Sequence, residues 1–336
     1  MKKSLSNIWN TRLLLFLIIS FLTTNYSAAE IQKIEYRSWK DCYEFSNSEI
    51  KLIINASSGG RVLVMEKDGV NILWEDSNID GKTLDDFNEK YFPPDAGRFD
   101  IGPGELTSGI HAKPWLGSWH AEIIDSLTLE LRCIDEKGLG LELVRRFTLD
   151  PENPELKIFQ SMKNISNEQK RYWFWNRAFL EIGGVAFSPV NQNSKYPDKW
   201  NRYIFGDIDS LASDPTDEGV QIRDSLFILN SLKAENLKYG TDSEEGWMAY
   251  HYKNLLFINT FPHYSNETYG EAGEQTNIYF LLNKGERQFI EIEPVSPVFE
   301  LQPGESGSFE QSWHLLSVSE KKSVKELMPA VNNILK

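Results

Sequence analysis

Glu291 and Glu293 stand two residues apart in the segment Phe289-Ile290-Glu291-Ile292-Glu293-Pro294. The segment alternates with the period of two that defines a β-strand, so Ile290 and Ile292 face one side and Phe289, Glu291 and Glu293 the other. At a rise of about 3.3 Å per residue the two carboxylates lie roughly 6–7 Å apart. Like charges that close raise the pKa of at least one member, and a raised carboxylate can serve as a general base near neutral pH. The same alternation also fits a plain strand with one solvated face.

A base needs an acid, and the chain has five histidines: His111, His120, His251, His263 and His314. His314 falls inside the last strand and reads as structural. His251 sits between two tyrosines on another strand, with an ambiguous face. His111, in a glycine-rich stretch, and His263, after Pro262, are the placements suited to a proton donor. No HxxxH or HExxH pair occurs, which disfavours a zinc hydrolase. Serine-hydrolase, Walker and dinucleotide-binding motifs are also missing from the sequence. The run Asp76-Ser77-Asn78-Ile79-Asp80-Gly81 satisfies the first half of a calcium loop, with Asp76, Asn78 and Asp80 as oxygen ligands. Its twelfth position is Phe87 where that loop needs a glutamate, and ordinary turn chemistry explains the cluster equally well. No cofactor is expected beyond that weak calcium signal.

These residues are carried by strands. Glu49–Asn55, Arg61–Glu66 and Val70–Trp74 follow one another, the last two joined through Lys67-Asp68-Gly69, a hairpin turn. Leu127 to Cys133 alternates, Leu139, Leu141, Leu143, Phe147 and Leu149 share one face, and Leu156–Lys163, Arg171–Leu180, Asn254–Phe261, Gln275–Leu282 and Gly307–Leu316 continue the pattern. Many strands at short spacing with almost no helical periodicity predict an all-β antiparallel sandwich or barrel in one domain. The exception is the tail, residues 319–336, where Val324, Leu327, Met328, Val331 and Leu335 keep helical spacing and Pro329 should kink or break the helix. Two stretches read as long loops, Tyr91–Ser118 and Gly183–Glu218. The first carries Arg98, Asp100, Glu105 and His111 among glycines and prolines.

The first 29 residues have the order of a secretory signal: Lys2, Lys3 and Arg12, an apolar run from Leu13 to Leu22, then Ser27-Ala28-Ala29. Cleavage near Ala29 would leave residues 30–318 as the main domain, exported to the periplasm or secreted, with no membrane insertion. The formal net charge of -14 argues against nucleic-acid and anionic-membrane partners. Cys42 and Cys133 permit one disulfide at most. Tryptophans are abundant: Trp173, Trp175 and Arg177 share one strand face, and Trp115 and Trp119 flank the glycine-rich stretch. Sugars present a polar rim and an apolar C–H face, which aromatic rings and carboxylate or arginine hydrogen bonds complement, although tryptophan also fills sandwich cores. Export, acidity and aromatic excess lean together toward a monosaccharide or oligosaccharide ligand.

Several segments in order resemble the galactose-mutarotase-like proteins, in a branch related to the aldose 1-epimerases. They are Ser58-Gly59-Gly60-Arg61-Val62-Leu63 with Gly69-Val70-Asn71-Ile72-Leu73-Trp74, then Gly97-Arg98-Phe99-Asp100-Ile101-Gly102-Pro103-Gly104 with Pro114-Trp115-Leu116-Gly117-Ser118-Trp119, then Tyr269-Gly270-Glu271-Ala272-Gly273-Glu274, and Glu291-Ile292-Glu293-Pro294 with Leu301-Gln302-Pro303-Gly304-Glu305-Ser306. The resemblance spans Asp41 to Val318 and implies a large antiparallel β-supersandwich with a sugar cleft. It implies Glu293 as the base at the anomeric hydroxyl, Glu291 as its neighbour, and His111 as the acid, with His263 in reserve. Arg98, Asp100, Trp115, Trp119, Trp175, Arg177, Tyr269 and Glu271 would hold the sugar. The second histidine of the epimerases has no clear counterpart, Trp175-Asn176-Arg177 falling near it, and Asn259 stands where a lysine is expected in this branch. Two other functions stay open on the same fold: a non-catalytic carbohydrate-binding protein, and a polysaccharide lyase or hydrolase using Tyr264 or Tyr269 beside His263.

Overall fold

The computed structural model describes residues 30–86, 95–103, 112–204, 207–212, 216–270, 273–283 and 286–336. Among them the strands form two sheets, one of 13 strands and one of 10. In the first, Arg61–Lys67, Gly97–Gly102, Lys170–Glu181, Glu286–Pro294, Thr276–Asn283 and Lys238–Thr241 lie side by side in that order. The middle of the second runs Trp247–Tyr252, Leu255–Thr260, Ser306–Ser317, Glu155–Asn164 and Leu141–Leu149. The protein is an all-β sandwich.

Alternation decides which side chains meet between the sheets. Phe99, Ile101, Phe174, Ala178, Ile290 and Ile292 point inward from the first sheet, and Leu143, Phe147, Leu156, Phe309, Trp313 and Leu315 from the second. Phe99 stacks on Trp313 at 5.8 Å and Phe174 on Phe309 at 6.3 Å, so aromatic contacts span the gap. The Asp68-Gly69 turn has positive φ at both residues, 52° and 77°, as a tight hairpin requires.

A charged residue also points inward from the second sheet. Arg145 sits on the core face of Leu141–Leu149 and its guanidinium donates to the carbonyls of Gly59, Gly60 and Phe99 on the opposite sheet. It stacks on Trp119 at 4.1 Å and Phe99 at 5.1 Å. Burial pulls its pKa down to about 9, against the weaker pull of Cys133 and Asp100.

The strand Gly97–Gly102 corrects the reading of Tyr91–Ser118 as one long loop: it is buried at all six positions. Its alternation is short and hidden between glycines whose missing side chains leave room for tryptophans. A Cβ on Gly97 would lie 2.5 Å from Trp313, and one on Gly102 2.1 Å from Trp173. Gly183–Glu218 likewise contains the strands Val185–Pro189, Asn201–Ile204 and Asp207–Ala212. The tail helix, Val324–Ile334, runs through Pro329 instead of breaking there. The proline removes one intrahelical hydrogen bond, while the Ser323/Glu326 capping box and the packing of Leu327 and Val331 on Trp247, Leu256 and Ile258 hold the helix together. Cys42 and Cys133 are buried and unpaired. Among the described residues no helix is long and apolar enough to cross a membrane.

Candidate active site

The register of the first sheet assembles the site. Trp175 lies opposite Asp100 and Arg177 opposite Arg98. Phe179 lies opposite Glu291, Asn277 opposite Glu293, Tyr279 opposite Glu291, and Lys238 opposite Tyr279. Directly opposed residues share a face. With Phe99, Ile101, Phe174, Ile290 and Ile292 turned into the core, Arg98, Asp100, Trp175, Arg177, Glu291, Glu293 and Lys238 rise together from the other face. Trp173 closes one end of the group between two glycines, Gly102 and Gly270, where a Cβ would lie 2.1 and 2.4 Å from its ring.

The charges interlock. Asp100 Oδ2 accepts from Arg98 at 3.0 Å and lies 3.1 Å from Arg177 Nε. The same Arg177 nitrogen lies 3.6 Å from Glu291 Oε2 and 3.8 Å from Glu293 Oε1. Trp175 Nε1 donates to Glu293 Oε2 at 2.9 Å, and Lys238 Nζ stands 3.9 Å from that oxygen. The Trp175 ring lies between Arg177 at 3.9 Å and Lys238 at 4.7 Å. Arg98 is covered by Trp115 at 4.6 Å and Phe179 at 5.2 Å. Glu291 and Glu293 expose 2% and 1% of their surface, and Asp100 none.

Burial pushes the Glu291 carboxyl well above the ordinary range; Arg177 opposes this, and the charge of Glu293 adds to it. Burial pushes Glu293 upward too, but Lys238, Arg177 and the hydrogen bonds from Glu291 and Trp175 outweigh it and hold the group below its ordinary value. The two carboxyls are therefore driven apart, Glu291 toward the protonated form and Glu293 toward the charged one. Adjacent carboxyls driven apart in this way can give and take a proton in the same place.

Next to the network is an open cleft of about 680 Å3 whose lining includes Lys195, Asp242, His263, Tyr264, Tyr269 and Gln275. Gln275 is two residues from Asn277, which pairs with Glu293, so the cleft adjoins the strand next to the carboxylates. His263 Nδ1 bonds Gln275 Oε1 at 2.7 Å, and its ring lies parallel to Tyr269 at 6.3 Å. Tyr269 accepts a hydrogen bond from the Tyr264 backbone at 3.1 Å. Burial raises the pKa of both tyrosines.

No protein-family profile and no curated protein matches the sequence. Solved structures match the fold. A galactose mutarotase-like protein from Lactobacillus casei ATCC 334 superposes with a TM-score of 0.57 at 10% identity, over 82% of this chain and 100% of the other. A candidate aldose 1-epimerase from Escherichia coli K12 gives 0.56 at 12% identity, over 82% and 99%. A galactose mutarotase-like protein from Clostridium acetobutylicum gives 0.52 at 14% identity, over 87% and 99%. The fold is galactose mutarotase-like.

On this mutarotase-like frame Glu291, Glu293, Arg98, Asp100, Trp175 and Arg177 come together as one group, with Trp115 as its cover. Arg98 and Asp100 are bound to each other and buried on a central strand, not displayed on a loop. Trp119 is a correction: it lies between the sheets, donates to the Pro114 carbonyl at 3.1 Å and stacks on Arg145, so it is core and not cleft wall. Asn176 points inward as well and accepts from Gln160 at 2.5 Å. His263 and Tyr269 sit in the neighbouring cleft, apart from the charge network. His111 and Glu271 lie outside the described residues. Asp76 Oδ1 accepts from the backbone and side chain of Asn78, at 2.9 and 2.7 Å, and Asp80 accepts from Arg37 at 2.6 Å. That is turn capping and ion pairing, and no group of three acidic, histidine or cysteine side chains placed to hold a metal occurs among the described residues.

Lys238 is the residue that sequence reading missed. Its strand, Lys238–Thr241, is four residues long, contains Gly240 and is buried throughout, so no alternation marks it. A lone lysine before Tyr239-Gly240 carries no local signal of a carboxylate partner 55 residues later.

Proposed function

We propose that this protein binds a sugar on the outer face of its first sheet and interconverts the anomers, as an exported isomerase of the aldose 1-epimerase type with Glu293 as general base. One observation carries this reading: Glu293, buried and bound by Trp175, Lys238 and Arg177, stands beside a second buried carboxyl, Glu291. Glu293 takes the proton of the anomeric hydroxyl, the ring opens to the aldehyde, the aldehyde rotates, and closure gives the other anomer. Trp175, Lys238 and Arg177 hold Glu293 in its charged form and fix its orientation. A free aldose or the reducing end of an oligosaccharide is the substrate class, and residues 1–29 would direct export.

Anomer exchange on a panel of monosaccharides and reducing oligosaccharides, followed by NMR, tests this. The wild type is expected to speed exchange of at least one sugar, and Glu293→Gln to slow it about 10²–10⁴-fold, the usual contribution of a general base. Exchange of every sugar at the buffer rate by the wild type sinks the proposal.

The engagement of both Glu293 oxygens by Trp175, Lys238 and Arg177 favours a second reading, a sugar-binding protein without turnover. Sugar-dependent tryptophan fluorescence with no anomer exchange would select it. A tyrosinate-based lyase gains nothing from Tyr264 and Tyr269, because burial moves both hydroxyls away from ionisation.

A further inference from the structure

A base at the anomeric hydroxyl is half of what ring opening needs, because the ring oxygen must receive a proton as its bond to C1 breaks. Among the described residues no histidine stands in the charge network. His263 is in the neighbouring cleft on Gln275, and His120, His251 and His314 belong to the second sheet.

Glu291 has what that step lacks. Its Oε2 is buried and receives no hydrogen bond from any N–H or O–H group among the described residues. Arg177 Nε stands 3.6 Å away, too far for a good hydrogen bond. A carboxylate oxygen left like this in the interior is costly. A proton on Glu291 removes the cost, because it can be donated to Glu293, to which Glu291 is hydrogen-bonded. Two carboxyl groups can share a hydrogen bond only when one of them holds the proton.

We infer that Glu291 is the proton donor to the ring oxygen, and that Glu291 and Glu293 work as a single acid–base pair on the anomeric carbon. This rests on the epimerase reading and departs from a histidine acid. The anomeric and ring oxygens are bonded to the same carbon, so two adjacent carboxyl groups can reach both. Glu293 takes the hydroxyl proton, and the electron pair of that O–H bond forms C1=O. The C1–ring-oxygen bond breaks with its pair on the ring oxygen, which takes the proton of Glu291. Glu293 is then the acid and Glu291 the carboxylate. Closure on the other face of the aldehyde reverses both transfers, so no proton is gained or lost. Among the described residues, the titratable and charged groups that face the pair are Arg98 and Asp100 from Gly97–Gly102, Arg177 from Lys170–Glu181, Lys238 from Lys238–Thr241 and Tyr279 from Thr276–Asn283. Their pull is uneven, with Lys238 Nζ 3.9 Å from a Glu293 oxygen, and this supports the assignment of the proton to Glu291.

Glu291→Gln keeps the shape of a neutral acid and can still donate an N–H to Glu293, so the network persists while proton transfer is lost. The expected result is a fall of about 10²–10⁴-fold in kcat for anomer exchange. The alkaline limb of the pH profile, where the wild type loses activity as Glu291 gives up its proton, should vanish. Isotope-edited infrared spectra of the wild type at neutral pH should show the carbonyl stretch of a buried carboxylic acid, absent from Glu291→Gln. Exchange that survives in Glu291→Gln but collapses in His263→Asn or His111→Asn overturns the donor role and leaves the epimerase reading standing. An active wild type without the carboxylic-acid band does the same. A wild type that exchanges no sugar overturns both, whatever the infrared spectrum shows.

Discussion

The first sheet is served by two buried arginine–carboxylate networks. In one, Asp95 lies between Arg37 at 2.7 Å and Arg61 at 2.8 Å and accepts a further N–H from Asp76 at 2.7 Å. Both arginines stack on Trp39, at 5.2 and 5.0 Å. In the other, Arg98, Arg177 and Lys238 surround Asp100, Glu291 and Glu293. The ingredients are alike: buried guanidinium groups, acidic side chains and indole rings. Asp95 is held by two guanidinium groups and a backbone N–H, and it serves as an anchor. Glu291 and Glu293 face one another, and two like charges cannot both persist in that space. A buried ion pair builds structure; a second carboxyl placed against it makes a proton carrier.

Substitutions can test that contrast. Asp95→Ala leaves Arg61 and Arg37 without their shared counter-ion, and should cost about 3–5 kcal/mol of stability in chemical denaturation. The pH profile of anomer exchange should be unaltered in whatever remains folded. Lys238→Met should do the reverse. It removes the cation that holds Glu293 ionised, so the acid limb of the profile should move up by about 1–3 pH units with a small change in stability. Acid stability should depend on neither network first. Burial lowers the pKa of His251 and His314, so the unfolded chain binds more protons than the folded one. Stability present above the ordinary histidine value of about 6.5 should be lost as pH falls below it, and His314→Gln should reduce that slope. The smallest effect should come from Tyr269→Phe, outside both networks. Loss of one hydrogen bond from the Tyr264 backbone should cost about 0.5–1.5 kcal/mol in thermal or chemical melts.

Sandwich architecture is legible in this chain because period-two alternation over many segments leaves few other folds. Phe289–Pro294 shows how far that goes: the alternation correctly separates Ile290 and Ile292, which enter the core, from Glu291 and Glu293, which do not. It does not tell which outward face becomes buried, because that depends on the strands beside it. Arg98, Asp100 and Arg177 belong to one site through register across three strands, and register is written in long-range pairing and not in local spacing. Trp119 was misread for a related reason. A tryptophan beside a glycine-rich segment looks the same whether its ring meets a ligand or a buried arginine, and only Arg145, from the other sheet, decides. Pro329 shows local propensity yielding to tertiary packing, since Leu327 and Val331 are seated on the sheet either side of it.

Arg145 also has a mechanical meaning. A sandwich held by side-chain contacts alone resists separation of its layers far better than sliding of one layer over the other, because apolar contact has no direction. The guanidinium of Arg145 crosses that plane and grips three carbonyl oxygens, those of Gly59, Gly60 and Phe99, at fixed angles. It acts as a shear pin. Phe99 stands between Arg98 and Asp100 in the chain, so sliding of the sheets would be felt first at those two residues. The stiffness of the charged face is therefore set in part from the opposite layer, by a residue that touches none of its carboxylates.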